Sequence, residues 1–103
     1  MAGESIKIRT LLRDGACTVR ALIRHPMEVG RREPETGKRL KPHFITYVSC
    51  RIHERVVLSA HWGGGIAKNP YLSFVFDGAL AGDPLLLTWE DNWGETDSLV
   101  VTL

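Results

Sequence analysis

The side chains in this sequence that could do the hardest chemistry are Cys17, His25, Met27, His43, Cys50, His53 and His61. Residues 22–30, LIRHPMEVG, set a histidine and a methionine on either side of Pro26, a combination that suits a soft metal. A blue-copper centre needs two histidines, a cysteine and a weak axial methionine that converge, with the cysteine, one histidine and the methionine on one late loop. The last 40 residues hold no Cys, His or Met. Cys50 and His53 are three apart, and on a strand such residues point to opposite faces. The histidines are therefore expected to be surface or strand-end residues. A small copper- or iron-binding sandwich using His25, Met27, His53 and His61 is the alternative.

Other chemistry is equally sparse. The two cysteines lack CxxC spacing, so neither a zinc site nor a redox motif is expected. Both fall in phase with apolar neighbours and are expected to behave as small buried hydrophobes rather than nucleophiles. Spacing leaves their pairing open, a cross-sheet bridge included. Glu90, Asp91 and Glu95 lie in and around the run EDNWG, where Asp and Asn bond their own backbone, and a solvated turn is expected. Gly63-Gly64-Gly65 has no following helix and no Lys-Ser/Thr, so it is no phosphate loop; it is expected to supply positive φ angles. No catalytic constellation, cofactor site or metal site survives, and the chain reads as a non-enzyme.

The elements that would carry these residues alternate with period two, the mark of half-buried strands. Seven short strands are expected, over 5–12, 16–24, 43–52, 55–62, 71–77, 85–90 and 96–103. Asp14-Gly15, Asp77-Gly78, Gly82-Asp83-Pro84 and Asp91 to Gly94 punctuate them. No stretch holds a 3.6-residue period. The expected fold is all-β, a single domain over 1–103 built as an immunoglobulin-like sandwich of about seven antiparallel strands. With 103 residues, 44% of them hydrophobic, the chain can fill one core. Its net charge of +1 gives no case for nucleic acid as partner. No apolar run approaches the ~20 residues that cross a bilayer, so no membrane insertion is expected. The opening MAGESIKIRT has no basic stretch followed by an apolar one, so no signal peptide is expected there.

Two features favour a binding module. Leu11, Leu22, Ile45, Tyr47, Val57, Tyr71, Val75 and Leu86 fall on the faces opposite the expected core, and contiguous apolar surface marks a partner site. Misjudged phase or bulges would be the bland explanation. The connection 26–42 is long and basic: Arg31, Arg32, Lys38, Arg39 and Lys41 stand against Glu28, Glu33 and Glu35. Such a loop is functional, or it is a charged hairpin at the sandwich edge.

The segment TLLRDGACTVRALIRHPMEVGRREPETGKRLKPHFI resembles the strand–strand–loop of the SoxZ family, where IRHPMETG precedes a basic loop and a strand. GIAKNPYLSFVF is similar to the family's second signature, near isANPYlsF, and LTWEDNWGET resembles its penultimate turn. The resemblance spans roughly 6–103. One departure is Ile52-His53-Glu54, where the family commonly has a Tyr-Asn-Gly turn.

The resemblance implies a non-catalytic subunit of a heterodimeric sulfur carrier in thiosulfate oxidation. It implies pairing with a SoxY-like chain whose cysteine, on a Gly-rich C-terminal tail, carries the sulfur. It also implies c-type cytochrome and hydrolase partners, and a periplasmic location reached by co-export with the signal-bearing partner. On that reading Tyr47, Tyr71, Phe74 and Phe76 are the expected partner anchors, with Asn69 and Pro70 fixing the start of their strand. Met27 is an adaptable apolar contact, against the core or the partner. Arg31, Arg32, Lys38, Arg39 and Lys41 would steer acidic partner surfaces. His25 marks the exit from the second strand, pushed into an extended conformation by Pro26, and Gly30 lets the chain turn. A stand-alone structural or adhesion sandwich is a further alternative.

Overall fold

A computed structural model describes residues 2–103. Seven strands account for its regular structure: β1 (Ile6–Arg13), β2 (Ala16–Ile23), β3 (Ile45–Ile52), β4 (Arg55–His61), β5 (Tyr71–Asp77), β6 (Pro84–Asp91) and β7 (Thr96–Thr102). All pairings are antiparallel. The strands form two sheets, ordered β1-β2-β5 and β4-β3-β6-β7. Three connections cross between sheets, from β2 to β3, β4 to β5 and β5 to β6, which is the topology of an immunoglobulin-like sandwich. The expected strands are all present, with ends shifted by one or two residues.

The alternation read from the sequence places the core. Cys17, Val19 and Ile23 from β2 meet Val48 and Cys50 from β3 and Leu85 and Leu87 from β6, all of them sealed from solvent. Removing a Leu or Ile side chain of this kind from water contributes roughly 1.5–3 kcal/mol. The two cysteines come from opposite sheets and remain free thiols inside this core.

Two bulges change faces that strict alternation assigns. The register of β3 against β6 shifts between Ile45 and Tyr47. Ile45 therefore points inward and is fully buried, although alternation places it outside. A second shift, opposite Cys50 and Arg51, leaves two β4 residues facing one on β3. Val56 is thereby turned outward and half exposed, and Val57 turns partly onto the core, the reverse of the expected arrangement. An extra residue in one strand shifts the phase of all that follows, which is why a bulge is invisible to a period-two reading.

The expected anchors Phe74 and Phe76 also need correction. They follow Leu72 on the core side of β5; Phe76 is buried, with Arg55 over its ring at 5.9 Å, and Phe74 packs partly buried against the core. Phe76 is not free to anchor a partner, and Phe74 is committed in part to this chain's core. Tyr71 and Val75 hold the opposite, exposed face of the same strand.

Residues 26–42 form a charged hairpin. Bridges join Glu28 to His43 and Arg32 to Arg39. The Leu40 N–H donates to the Arg31 carbonyl at 2.9 Å and the Glu33 N–H to the Lys38 carbonyl at 2.7 Å. The molecule measures 53 × 22 × 20 Å. Its long axis is about twice the ~26 Å of an eight-residue strand, as expected of a sandwich with a ribbon off one end. Gly64 packs against the base of that ribbon: a Cβ there would sit 2.6 Å from Val29 Cγ1. The three glycines 63–65 do not have the positive φ angles expected of them; at Gly64 the requirement is close approach.

These assignments predict that Ile45→Ala lowers the unfolding free energy by about 2–5 kcal/mol, while Thr46→Ala costs less than about 1 kcal/mol, both measured by denaturant titration.

Candidate functional site

Four segments far apart in sequence meet at the end of the sandwich where the hairpin leaves. The exit of β2 brings His25, the re-entry before β3 brings His43, the end of β6 brings Asp91, and the loop before β5 brings Asn69. Pro26 stops β2 by removing a ladder donor. Asn69, held at φ +52°, takes over the backbone pairing. The His25 N–H donates to Asn69 Oδ1 at 3.0 Å, and the Asn69 N–H donates to the His25 carbonyl at 2.9 Å.

The Asp91 carboxylate is the centre. Asp91 is 6% exposed and His25 3% exposed. The Met27 N–H donates to His25 Nδ1 at 3.1 Å. That bond fixes the tautomer, leaving the ring hydrogen on Nε2, which donates to Asp91 Oδ2 at 3.0 Å. His43 Nε2 donates to the same oxygen at 2.8 Å. The other oxygen, Oδ1, accepts the backbone N–H groups of Trp93 at 3.0 Å and Glu95 at 2.9 Å.

Aromatic rings close the site. Trp93 stacks on His43 with centroids 3.6 Å apart, and Trp89 meets His25 edge-on at 5.2 Å. The Trp93 Nε1–H and the Asn92 side-chain amide both donate to the Pro42 carbonyl, at 2.8 and 3.0 Å. The β6–β7 turn is thus tied to the base of the hairpin. Burial alone pushes the Asp91 carboxyl up, but the hydrogen bonds from His25, His43, Glu95 and Trp93 outweigh it and hold the group below its ordinary value.

Two histidines and a carboxylate, with ligand atoms within 4.8 Å of one another, are a set that a divalent transition metal could use. The hydrogen bonding argues otherwise. A metal on His25 Nε2 would send the ring hydrogen to Nδ1, where the Met27 N–H already points. Both ring nitrogens of His25 and both oxygens of Asp91 are partnered, and no buried side-chain N or O among the described residues lacks a partner. The residues fit a structural clasp rather than a metal.

The alternative metal set does not come together. His53 pairs with Asp83 at 3.2 Å, His61 lies against Tyr47 at 4.9 Å, and neither joins His25. Met27 is buried, and its sulfur accepts the Ile45 N–H at 3.3 Å. It belongs to this chain's core, the first of the two places expected for it, and not to a partner surface. Pro70 is buried as well, its carbonyl accepting the Ile23 N–H at 3.0 Å, while Asn69 stays exposed. Tyr47, on the outer face of the four-stranded sheet, hydrogen-bonds Ser59 at 3.0 Å. Tyr71 lies on the other outer face, so the expected anchors are not one surface. Arg31, Arg32, Lys38, Arg39 and Lys41 are all exposed on the hairpin.

Asp91 is the residue that a turn reading misses. It does cap the turn, as EDNWG suggests, but its second oxygen faces inward. The signal was in the phase: Leu85, Leu87, Trp89 and Asp91 alternate onto one buried face. His25 likewise continues the buried series of β2. The thiols offer no reactive site. Burial raises the Cys17 thiol above its ordinary value and pushes Cys50 up to about 12.

The fold and this clasp define a two-sheet immunoglobulin-like sandwich whose most conspicuous cluster is architectural. Residues 6–102 match the family described as "Sulphur oxidation protein SoxZ", and the chain belongs to that family, which makes it a subunit of the Sox sulfur-oxidation system. No curated protein matches it in sequence. Among solved structures it is similar to a superoxide reductase (neelaredoxin) from Archaeoglobus fulgidus, with TM-score 0.60 and 17% identity, covering 95% of this chain and 87% of that one. At that identity the likeness is one of fold.

Replacing Asp91 with Ala is expected to cost about 3 kcal/mol or more in unfolding free energy, because buried donors lose their acceptor. The folded-state value lies below the ordinary 3.8. The contribution of Asp91 is therefore complete above pH ~4 and is lost as pH falls through the lower folded value; in Asp91→Asn this acid-side loss should shrink, as read from thermal midpoints between pH 2 and 6. Ellman's reagent should modify neither cysteine in the native chain and both after unfolding.

Proposed function

We propose that this chain is the non-catalytic partner in a heterodimeric sulfur carrier, bound to a SoxY-like chain that holds the reacting cysteine. The family match over 6–102 is the observation that carries the reading. The chemistry of this chain supports it. A sulfur carrier needs an exposed thiolate of lowered pKa, and both cysteines here are buried with raised values. The sulfur would ride on the partner, and this chain would hold and present it.

The hairpin fits a presenting role. Its exposed cations can steer acidic surfaces of further partners, with c-type cytochromes and a hydrolase as the classes the family suggests. The Asp91 clasp holds His43 at the base of the ribbon. In this reading the pair works in the periplasm and is exported together on the signal of the SoxY-like chain.

Co-expression with the cognate SoxY-like chain should give one species on gel filtration with the combined mass. Intact-mass analysis during thiosulfate turnover should find sulfur adducts on the partner alone. A chain that elutes as a monomer beside its partner, or an adduct on Cys17 or Cys50, would overturn the reading.

A further inference from the structure

The outer face of the three-stranded sheet sets like charges against each other between apolar rows. Register places Lys7, Leu22 and Tyr71 in one cross-strand row, Arg9, Arg20 and Ser73 in the next, and Leu11, Thr18 and Val75 in the third. The apolar members of the outer rows are open to solvent: Leu11 53%, Leu22 41%, Tyr71 62% and Val75 63%. The middle row and Lys7 are cationic. These three rows contain no carboxylate; Glu4 and Asp77 lie at the two ends. The four-stranded sheet has a central row of hydroxyls, from Ser59, Ser49, Thr88 and Ser98, and beside it a row in which Val56 and Val100 are exposed around Arg51 and Leu86, but it sets no two like charges directly opposite each other.

Arg9 and Arg20 are direct cross-strand partners. Like charges facing each other across a ladder destabilise a sheet. Neither arginine has an ion pair or hydrogen bond with a described residue that would offset this. Open grooves of roughly 290 and 200 Å³ flank the pair, one against Tyr71 and Leu22, the other against Leu11. An arginine pair without counter-charge, bordered above and below by apolar side chains, is complementary to a surface that carries a carboxylate between two apolar patches.

We propose that this face of β1, β2 and β5, rather than the hairpin or the four-stranded sheet, is covered by the SoxY-like partner chain, with a partner carboxylate set between Arg9 and Arg20. The proposal rests on the heterodimer reading and says which surface makes it. A second copy of this chain would place arginine against arginine, so self-association through this face is disfavoured. Exposed Tyr71 is the anchor, since a large amphipathic ring concentrates interface energy. The arginines set register and association rate.

The test uses the full chain and its cognate partner, with affinity measured by calorimetry at low and high salt. Arg20→Glu should weaken binding at least tenfold, and Tyr71→Ser should do the same without touching charge. Thr88→Glu on the other sheet and Arg39→Glu on the hairpin should leave affinity within about twofold. Binding of the unmodified chain should weaken with salt. In the isolated chain Arg20→Glu should raise the thermal midpoint by a few degrees, because it removes the Arg9–Arg20 repulsion; lost binding then reports the surface and not unfolding. If the unmodified chain binds and only the Thr88 or Arg39 variant fails, the assigned face is wrong while the heterodimer stands. If the chain alone is a dimer that Arg20→Glu disperses, the face belongs to a second copy and the proposal falls. If the unmodified chain does not bind the partner at all, the heterodimer reading itself falls.

Discussion

A carboxylate buried at 6% exposure must be fully hydrogen-bonded or it will not stay ionised, and the rest of this architecture is arranged around that requirement at Asp91. The four donors that meet it come from His25, His43 and the β6–β7 turn. None of these segments is close to another in sequence, apart from the turn itself. The Asp91 oxygens therefore join the exit of one sheet, the entry to the other and the last hairpin. Asn69 adds the β4–β5 connection through the backbone of His25.

The clasp works by removing alternatives. Pro26 takes a donor out of the β2 ladder, and Met27 adopts φ +48°, an uncommon conformation for a non-glycine residue. That local cost is offset by what the conformation permits: the Met27 N–H reaches His25 Nδ1, and the Met27 sulfur reaches the Ile45 N–H. With the tautomer of His25 set, its other nitrogen can only donate, and Asp91 is there to accept. The hairpin leaves the sandwich from a base tied on both strands and by the Trp93 and Asn92 bonds to Pro42. The base of the charged ribbon is therefore held from both of its strands and from the β6–β7 turn.

The state of the two thiols follows from the same packing. The two sulfur atoms that could react are spent on the core, where their burial favours the neutral thiol. What is left for function is surface: a cationic ribbon at one end, and a sheet face where Arg9 and Arg20 oppose each other between apolar rows. The superoxide reductase resemblance extends the fold, not the chemistry, to this chain.

Alternation in the sequence determined the seven strands, the all-β class and most of the core, because a period of two is local and every half-buried strand must obey it. The family motifs, too, were legible as strings. Tertiary structure decided where those strings meet. The buried role of Asp91 depended on two histidines 66 and 48 residues away, and no local pattern encodes that. Phase within a strand was readable until a bulge shifted it, so Ile45 and Val56 changed sides, while Phe74 and Phe76 followed their own alternation into the core. Sequence alone sets which residues can be neighbours along one strand; only the packing of two sheets sets which carboxylate, imidazole and backbone amide share a single buried point, because burial itself is a property of the assembled sandwich.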